Sequence, residues 1–279
     1  MVKRTGHGSF IRQTPRIHAG SLFVSRGSGL GPRVSGMTEI AYMTREDWAQ
    51  EAAAMVPQSA VIRDWLGKAP HLFAVADPAY VHKKPQSIDR ETLQYIAPTA
   101  ESRHIVSIAQ LRSLGADGAT YDHAIAILHP HDDTNADAVR EFLTAGTFSR
   151  ALVMVWHGEQ LFRTCHDGMH ALDLHTGTTT DPIAPVMIEA ARMIKNEDYN
   201  GLSSGHGKDA TVQLLRVFGE NGYPIEREPW LRAYFSVGGS IRHAQTIAKL
   251  IEEMRRGVRH RVERHYRDDI FAILKGHGA

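Results

Sequence analysis

Two clusters of histidine and aspartate have the composition of a divalent-metal site. The first is His129-Pro130-His131-Asp132-Asp133. The second is Cys165-His166-Asp167-Gly168-Met169-His170, followed by Asp173 and His175. Imidazole and carboxylate are standard ligands for zinc, iron or manganese. On extended chain, residues 129 and 131 share a side, as do 173 and 175. Two such clusters at two strand ends could complete one coordination shell. The expectation is a site for zinc, manganese or magnesium. Its ligands would come from His129, His131, Asp132, His166, His170, Asp173 and His175, with His129, His131 and Asp133 acting in catalysis. A metal held there would lower the pKa of a bound water and polarise a substrate oxygen. The plainer reading makes Asp132, Asp133 and Thr134 the N-terminal cap of the next helix. It makes the second cluster a polar hairpin, since a chain with 17 histidines forms clusters by chance.

The first cluster resembles the His-Pro-Asp-Asp strand-end motif of the PIG-L type of zinc deacetylase. It departs from that motif: an extra histidine intervenes, Thr134 stands where the glutamate belongs, and no downstream histidine pair matches. The family's ligand set is therefore not carried over.

Two other stretches suit anions. Ser203-Ser204-Gly205-His206-Gly207-Lys208-Asp209 leads into a helix, and glycines, a lysine and free amides at a helix N-terminus can hold phosphate. Gly205, Gly207 and Lys208 are the candidate nucleotide-binding residues. The stretch is not a Walker A loop, because Gly201 is one position too far away and Asp209 replaces the hydroxyl residue. Farther on, Arg255, Arg256, Arg259, Arg261, Arg264 and Arg267 face one acid, Glu263. Arginine suits phosphate recognition, so this tail is the candidate nucleic-acid contact. The alternatives are a solvated charged face and a contact between copies of the chain. Cys165, the only cysteine, has no identifiable catalytic partner and reads as a buried thiol.

The elements that would position these residues follow from hydrophobic patterning. His123–Leu128 and Ala151–Trp156 are continuous apolar runs, and 134–145 has a helical apolar face between them. Strand, helix, strand at this spacing is a parallel βαβ unit. Upstream, Thr44 suits a helix N-cap with the helix running to Met55. Ser59 could cap a short helix to Trp65, residues 71–76 read as a buried strand, and 88–114 as mostly helical. Downstream, two short strands at 159–164 and 170–175 would form a hairpin around Asp167-Gly168. Helices follow at 184–195, 208–218 and 230–237, with Gly238-Gly239 as the turn of a possible helix-turn-helix. Ile241, Ala244, Ile247, Ala248, Ile251 and Met254 then repeat at helical spacing, and a basic helix continues past Gly257 to Leu274.

The expected fold is α/β, a partly parallel sheet with flanking helices and a helical C-terminal part. The expected domains are a basic arm or upstream extension at 1–36, an α/β domain at 37–200 and a helical region at 201–279, open to packing on the same core. The 279 residues suffice for a self-supporting core. Residues 1–36 carry six basic residues and no acid, so the overall charge of +1 hides an acidic body with basic ends. One cysteine excludes an internal disulfide, and no apolar run approaches the length of a bilayer span. A cytoplasmic location is expected and a membrane partner is not. The functional expectation is a metal-assisted hydrolase acting on a phosphorylated or nucleic-acid substrate. The alternatives are a non-enzymatic nucleic-acid-binding protein and a nucleotide-binding module, with homo-oligomerisation left open.

Overall fold

The computed structural model describes residues 38–45, 56–67, 71–84, 87–98, 104–116, 120–155 and 160–277. The basic arm at 1–36 and the helix expected after Thr44 lie outside the described residues. Gly36–Ala279 form one compact unit.

Six strands make one sheet: β1 (Glu39–Thr44), β2 (Leu72–Val75), β3 (Ile105–Ser107), β4 (Tyr121–Leu128), β5 (Phe148–Val155) and β6 (Leu172–Asp173). Their order is β3-β2-β4-β5-β1-β6, and every neighbouring pair is parallel. The continuous apolar runs of β4 and β5 occupy the middle, where helices cover both faces. On one face α1 (Val56–Leu66), α2 (Pro78–Lys83) and α3 (Ile88–Ile96) bury Ile62, Val81 and Leu93 against Met43, Phe73 and Met154. On the other lie α4 (Leu111–Ala116), α5 (Asp133–Ala145) and α6 (Gln160–Gly168). Outside them are α7 (Pro185–Glu197), α8 (Gly205–Glu220), α9 (Arg227–Ser236), α10 (Ile241–Arg255) and α11 (Ile270–His277). Ile194, Leu215, Trp230, Ile247 and Leu274 from these five join the same core as Val139 and Val153.

Caps fix the element ends that matter. Asp132 accepts from Asn135 N at 2.8 Å and starts α5, and Gly146 ends it with φ 67°. Ser87 caps α3, which places Asp89 in its first turn. Connections leave β1 and β2 toward the α1–α3 face, and β4 and β5 toward the α5–α6 face. The neighbours β2/β4 and β5/β1 therefore part to opposite faces. In open parallel sheets such points, at the carboxyl ends of the strands, are where ligands bind.

Three expectations are corrected. Residues 160–168 are a helix, not half of a hairpin, and only Leu172–Asp173 pair as a strand. Gly168 serves close packing rather than a turn: a Cβ there would stand 2.6 Å from the Arg232 carbonyl oxygen of α9. The chain turns instead at His170, with φ 55°, after the Ala171 amide has bonded back to the His166 carbonyl. Second, the basic helix does not continue from 257 to 269. Gly257, at φ 86°, ends α10, and an irregular strap follows before α11. Third, Ser59 lies inside α1 rather than at its cap. The stretch 88–114 is mostly helical among its described residues, as expected, with β3 interrupting it as a sheet-edge strand.

Candidate functional site

A cavity of about 660 Å³ opens at the carboxyl ends of β1 and β6, beside the β5/β1 divergence. Tyr42 of β1, Arg163, Thr164 and Asp167 of α6, and Asp173 of β6 line its inner wall. Thr176, Thr178, Thr179 and Thr180 form a hydroxyl-rich side, and Arg227, Glu228 and Arg232 of α9 close it. A smaller cavity of about 310 Å³ adjoins it. Gln160, Leu161 and Arg227 line both, so the two form one cleft along the sheet edge.

Helical geometry sets the inner wall. Arg163 and Asp167 are four residues apart on α6 and so share a face. Tyr42 donates its hydroxyl to Asp167 Oδ1 at 2.8 Å. Burial raises the Asp167 carboxyl above the ordinary carboxylate range, against the opposing pull of Tyr42, Arg163 and Arg232. Burial and then the Asp167 charge push the Tyr42 hydroxyl well up, which keeps it a donor. Asp173 is treated differently: Arg163 stands 3.5 Å from its Oδ2, and the His175 amide donates to Oδ1. Asp167 and Asp173 thus stand in one cleft with different hydrogen-bond partners. Arg232 donates to the Asp181 carbonyl, while its buried Nε has no hydrogen-bond partner among the described residues. Neither Arg227 nor Arg232 makes a side-chain ion pair among the described residues. Such guanidinium groups are suited to an anion.

The residues expected from the sequence to share a metal do not converge. Among the described residues, the one group of three whose ligand atoms lie within 4.8 Å of each other is Glu197, His206 and His265, which contains none of them. His129 ends β4 at φ 43°, fully buried, with Nδ1 2.7 Å from Asp89 Oδ1. Burial lowers its pKa despite Asp89. This is a strained histidine at the β2/β4 divergence, and its carboxylate partner is 40 positions away. His131, Asp132 and Asp133 line the smaller cavity, with Asp132 committed as the cap and Asp133 accepting from Gln245 Nε2 at 2.9 Å. His166 is in the core: Nδ1 bonds the Phe162 carbonyl, and burial brings its pKa down to about 4. His170 and His175 are exposed and do not line the cavity, whereas Asp173 does. Cys165 is buried, its thiol pushed up to about 12, a poor nucleophile.

The anion candidates are placed as follows. Gly205 begins α8, but Gly207 is buried, and a Cβ on it would stand 2.4 Å from the Gly201 carbonyl oxygen. That glycine admits a neighbouring turn rather than a phosphate. Lys208 is half-buried in the first turn of α8. Arg255 ends α10, and Arg256, Arg259, Arg261, Arg264 and Arg267 follow along the strap, all six exposed. Arg256, Arg264 and Arg267 pair with Glu252, Asp268 and Asp269.

Sequence reading passed over Tyr42, Arg163, Arg227 and Arg232, which sit in three separate elements without a motif. The one local signal was Arg163 and Asp167 at a spacing of four, visible only if 160–168 is read as helix. No helix among the described residues is long and apolar enough to cross a membrane. Comparison of the chain with family models, curated proteins and solved structures returns no match, so the geometry of the site carries the functional argument.

Proposed function

We propose that the protein is an acid–base hydrolase acting on a phosphorylated, hydroxyl-bearing small molecule in the cleft between α6 and α9. The observation that carries this reading is Asp167, a buried carboxyl with raised pKa, in a cleft closed by Arg227 and Arg232, which make no side-chain ion pair among the described residues. Arg227 and Arg232 would hold the phosphate, and the threonine wall would take hydroxyl groups. Asp167 would donate a proton to the leaving oxygen, with Tyr42 holding its carboxyl in place. Asp173, oriented by Arg163, would take a proton from the attacking water. A cavity of about 660 Å³ matches the few hundred to about 1,000 Å³ typical of small-molecule sites. No metal group of three forms among the cleft's described residues, so the divalent-metal part of the expectation attaches to the Glu197 group instead.

The test is thermal stabilisation by inorganic phosphate, nucleotides and sugar phosphates, followed by turnover assays on the compounds that bind. Arg227→Ala and Arg232→Ala should each weaken binding by about 10- to 100-fold, the usual value of a hydrogen bond to a charged group. Asp167→Asn should retain binding and lose turnover. If no phosphorylated compound stabilises the protein, or the arginine variants bind as the parent does, the reading fails.

A second reading rests on the six exposed arginines around the strap, which suit a nucleic-acid backbone. Duplex DNA binding that falls steeply with salt, and flattens in Arg259→Ala/Arg261→Ala, would support it.

A further inference from the structure

We infer a zinc site formed by Glu197, His206 and His265, on the side of the molecule built from α7, α8 and the strap. Glu197 is the last residue of α7, His206 lies in the first turn of α8, and His265 comes from the strap. Their ligand atoms all lie within 4.8 Å of one another. His206 Nε2 is 3.9 Å from Glu197 Oε2, and His265 Nε2 is 3.6 Å from Glu197 Oε1. Ligands bound to one zinc at 2.0–2.2 Å stand about 3–3.5 Å apart, so small side-chain rotations close the shell.

Two further features support a built site. Glu197 Oε2 is buried and has no hydrogen-bond partner among the described residues, a costly state for a carboxylate oxygen unless a cation meets it. The scaffold also holds all three residues before any metal arrives. Gly207 lets α8 close on the turn after α7, with Gly201 O 2.4 Å and Glu197 O 3.2 Å from where its Cβ would be. Gln213 of α8 fixes the strap, accepting from the His265 and Tyr266 amides at 2.8 and 3.0 Å and donating to the Tyr266 carbonyl at 3.0 Å. The imidazoles of His206 and His265 meet edge to face, with centroids 3.9 Å apart.

Two imidazoles and one carboxylate form a donor set suited to zinc, and three protein ligands leave a fourth position for water. His206 is 60 % exposed, so that position faces solvent. The metal would tie the strap to α7 and α8 through side chains. The same strap carries Arg259, Arg261, Arg264 and Arg267, all substrates for trypsin when the backbone is free.

The experiment uses the full chain, dialysed against chelator and titrated with zinc chloride. Calorimetry should show one zinc per chain at this site. Zinc at about 100 times its Kd should raise the melting temperature by about 5–10 °C. It should also slow tryptic cleavage at the strap arginines. His206→Ala removes an exposed side chain and should fold normally, yet abolish the thermal shift and the protection, and His265→Ala should do the same. Zinc that neither stabilises the chain nor protects the strap overturns the inference. So does zinc that acts equally on the parent and both variants, because the metal then sits on other histidines.

Discussion

Replacing Gly168 by alanine sets two known effects against each other. Gly168 is the last residue of α6, and its backbone is not in the left-handed region, so alanine is conformationally acceptable there. Helix propensity alone favours alanine by up to about 1 kcal/mol. The added Cβ, however, would stand 2.6 Å from the Arg232 carbonyl oxygen and 3.0 Å from Phe235 Cβ, both on α9. The nearer obstacle is backbone, which no rotamer change can move aside. Overpacking of this kind costs about 1–3 kcal/mol, and a contact this short belongs in the upper part of that range. The net expectation is a loss of about 1–2 kcal/mol, which lowers the melting temperature by roughly 2–8 °C in a domain of this size. Urea unfolding should show a lower midpoint with an unchanged slope. Because Asp167 and Arg232 flank the contact, phosphate binding should weaken as well. Gly219→Ala provides the control: its Cβ would meet Ile225 Cδ1 at 2.8 Å, the end of a flexible side chain, so it should be neutral or stabilising. Should Gly168→Ala prove as stable as the parent, α6 and α9 do not pack as described, and the cleft between them loses its basis.

Further predictions concern buried charge and capping. Asp167→Asn should raise stability at neutral pH, because an acid whose pKa is raised in the fold loses stability as pH rises through that window; the gain should vanish below the ordinary carboxylate range. His166 has the opposite dependence on protonation: burial lowers its pKa to about 4, so the stability it leaves intact at pH 7 is lost as pH falls from about 6.5 toward 4, by about 3 kcal/mol. His166→Leu should flatten that part of the stability profile measured by urea unfolding, and an unchanged slope would contradict the burial of this ring. Asp132→Ala should cost about 1 kcal/mol through loss of the α5 cap. It should leave zinc affinity intact, and a fall in that affinity would show that Asp132 is a ligand.

Local chemistry made much of the fold legible. The apolar runs of β4 and β5, the cap at Asp132 and the Ile241–Ile251 periodicity each specify an element through short-range physics: a run buried on both faces, a side chain answering an amide, one apolar stripe. The parallel pairing of β4 and β5 follows from the helix between them. What failed locally was glycine. Gly168 reads as a turn residue and Gly207 as a phosphate-binding one in sequence, yet each marks a place where another segment's backbone comes close. Nothing near them in sequence reveals that neighbour.

The candidate site shows the same division. Residue type alone marked histidine and aspartate as the groups able to do chemistry; of those clusters Asp173 lines the cleft, while His206 lay in the glycine stretch read for anions. Which groups face one another was decided by sheet order and helix packing. Those bring Asp89 to His129 across 40 positions, Tyr42 to Asp167 across 125, and His265 against Glu197 from the far end of the chain. The sequence by itself determined the elements and the inventory of reactive side chains, because both depend on interactions within a few residues. Only the tertiary structure decided the partners, because burial, ion pairing and metal geometry depend on distances between segments that sequence spacing does not encode.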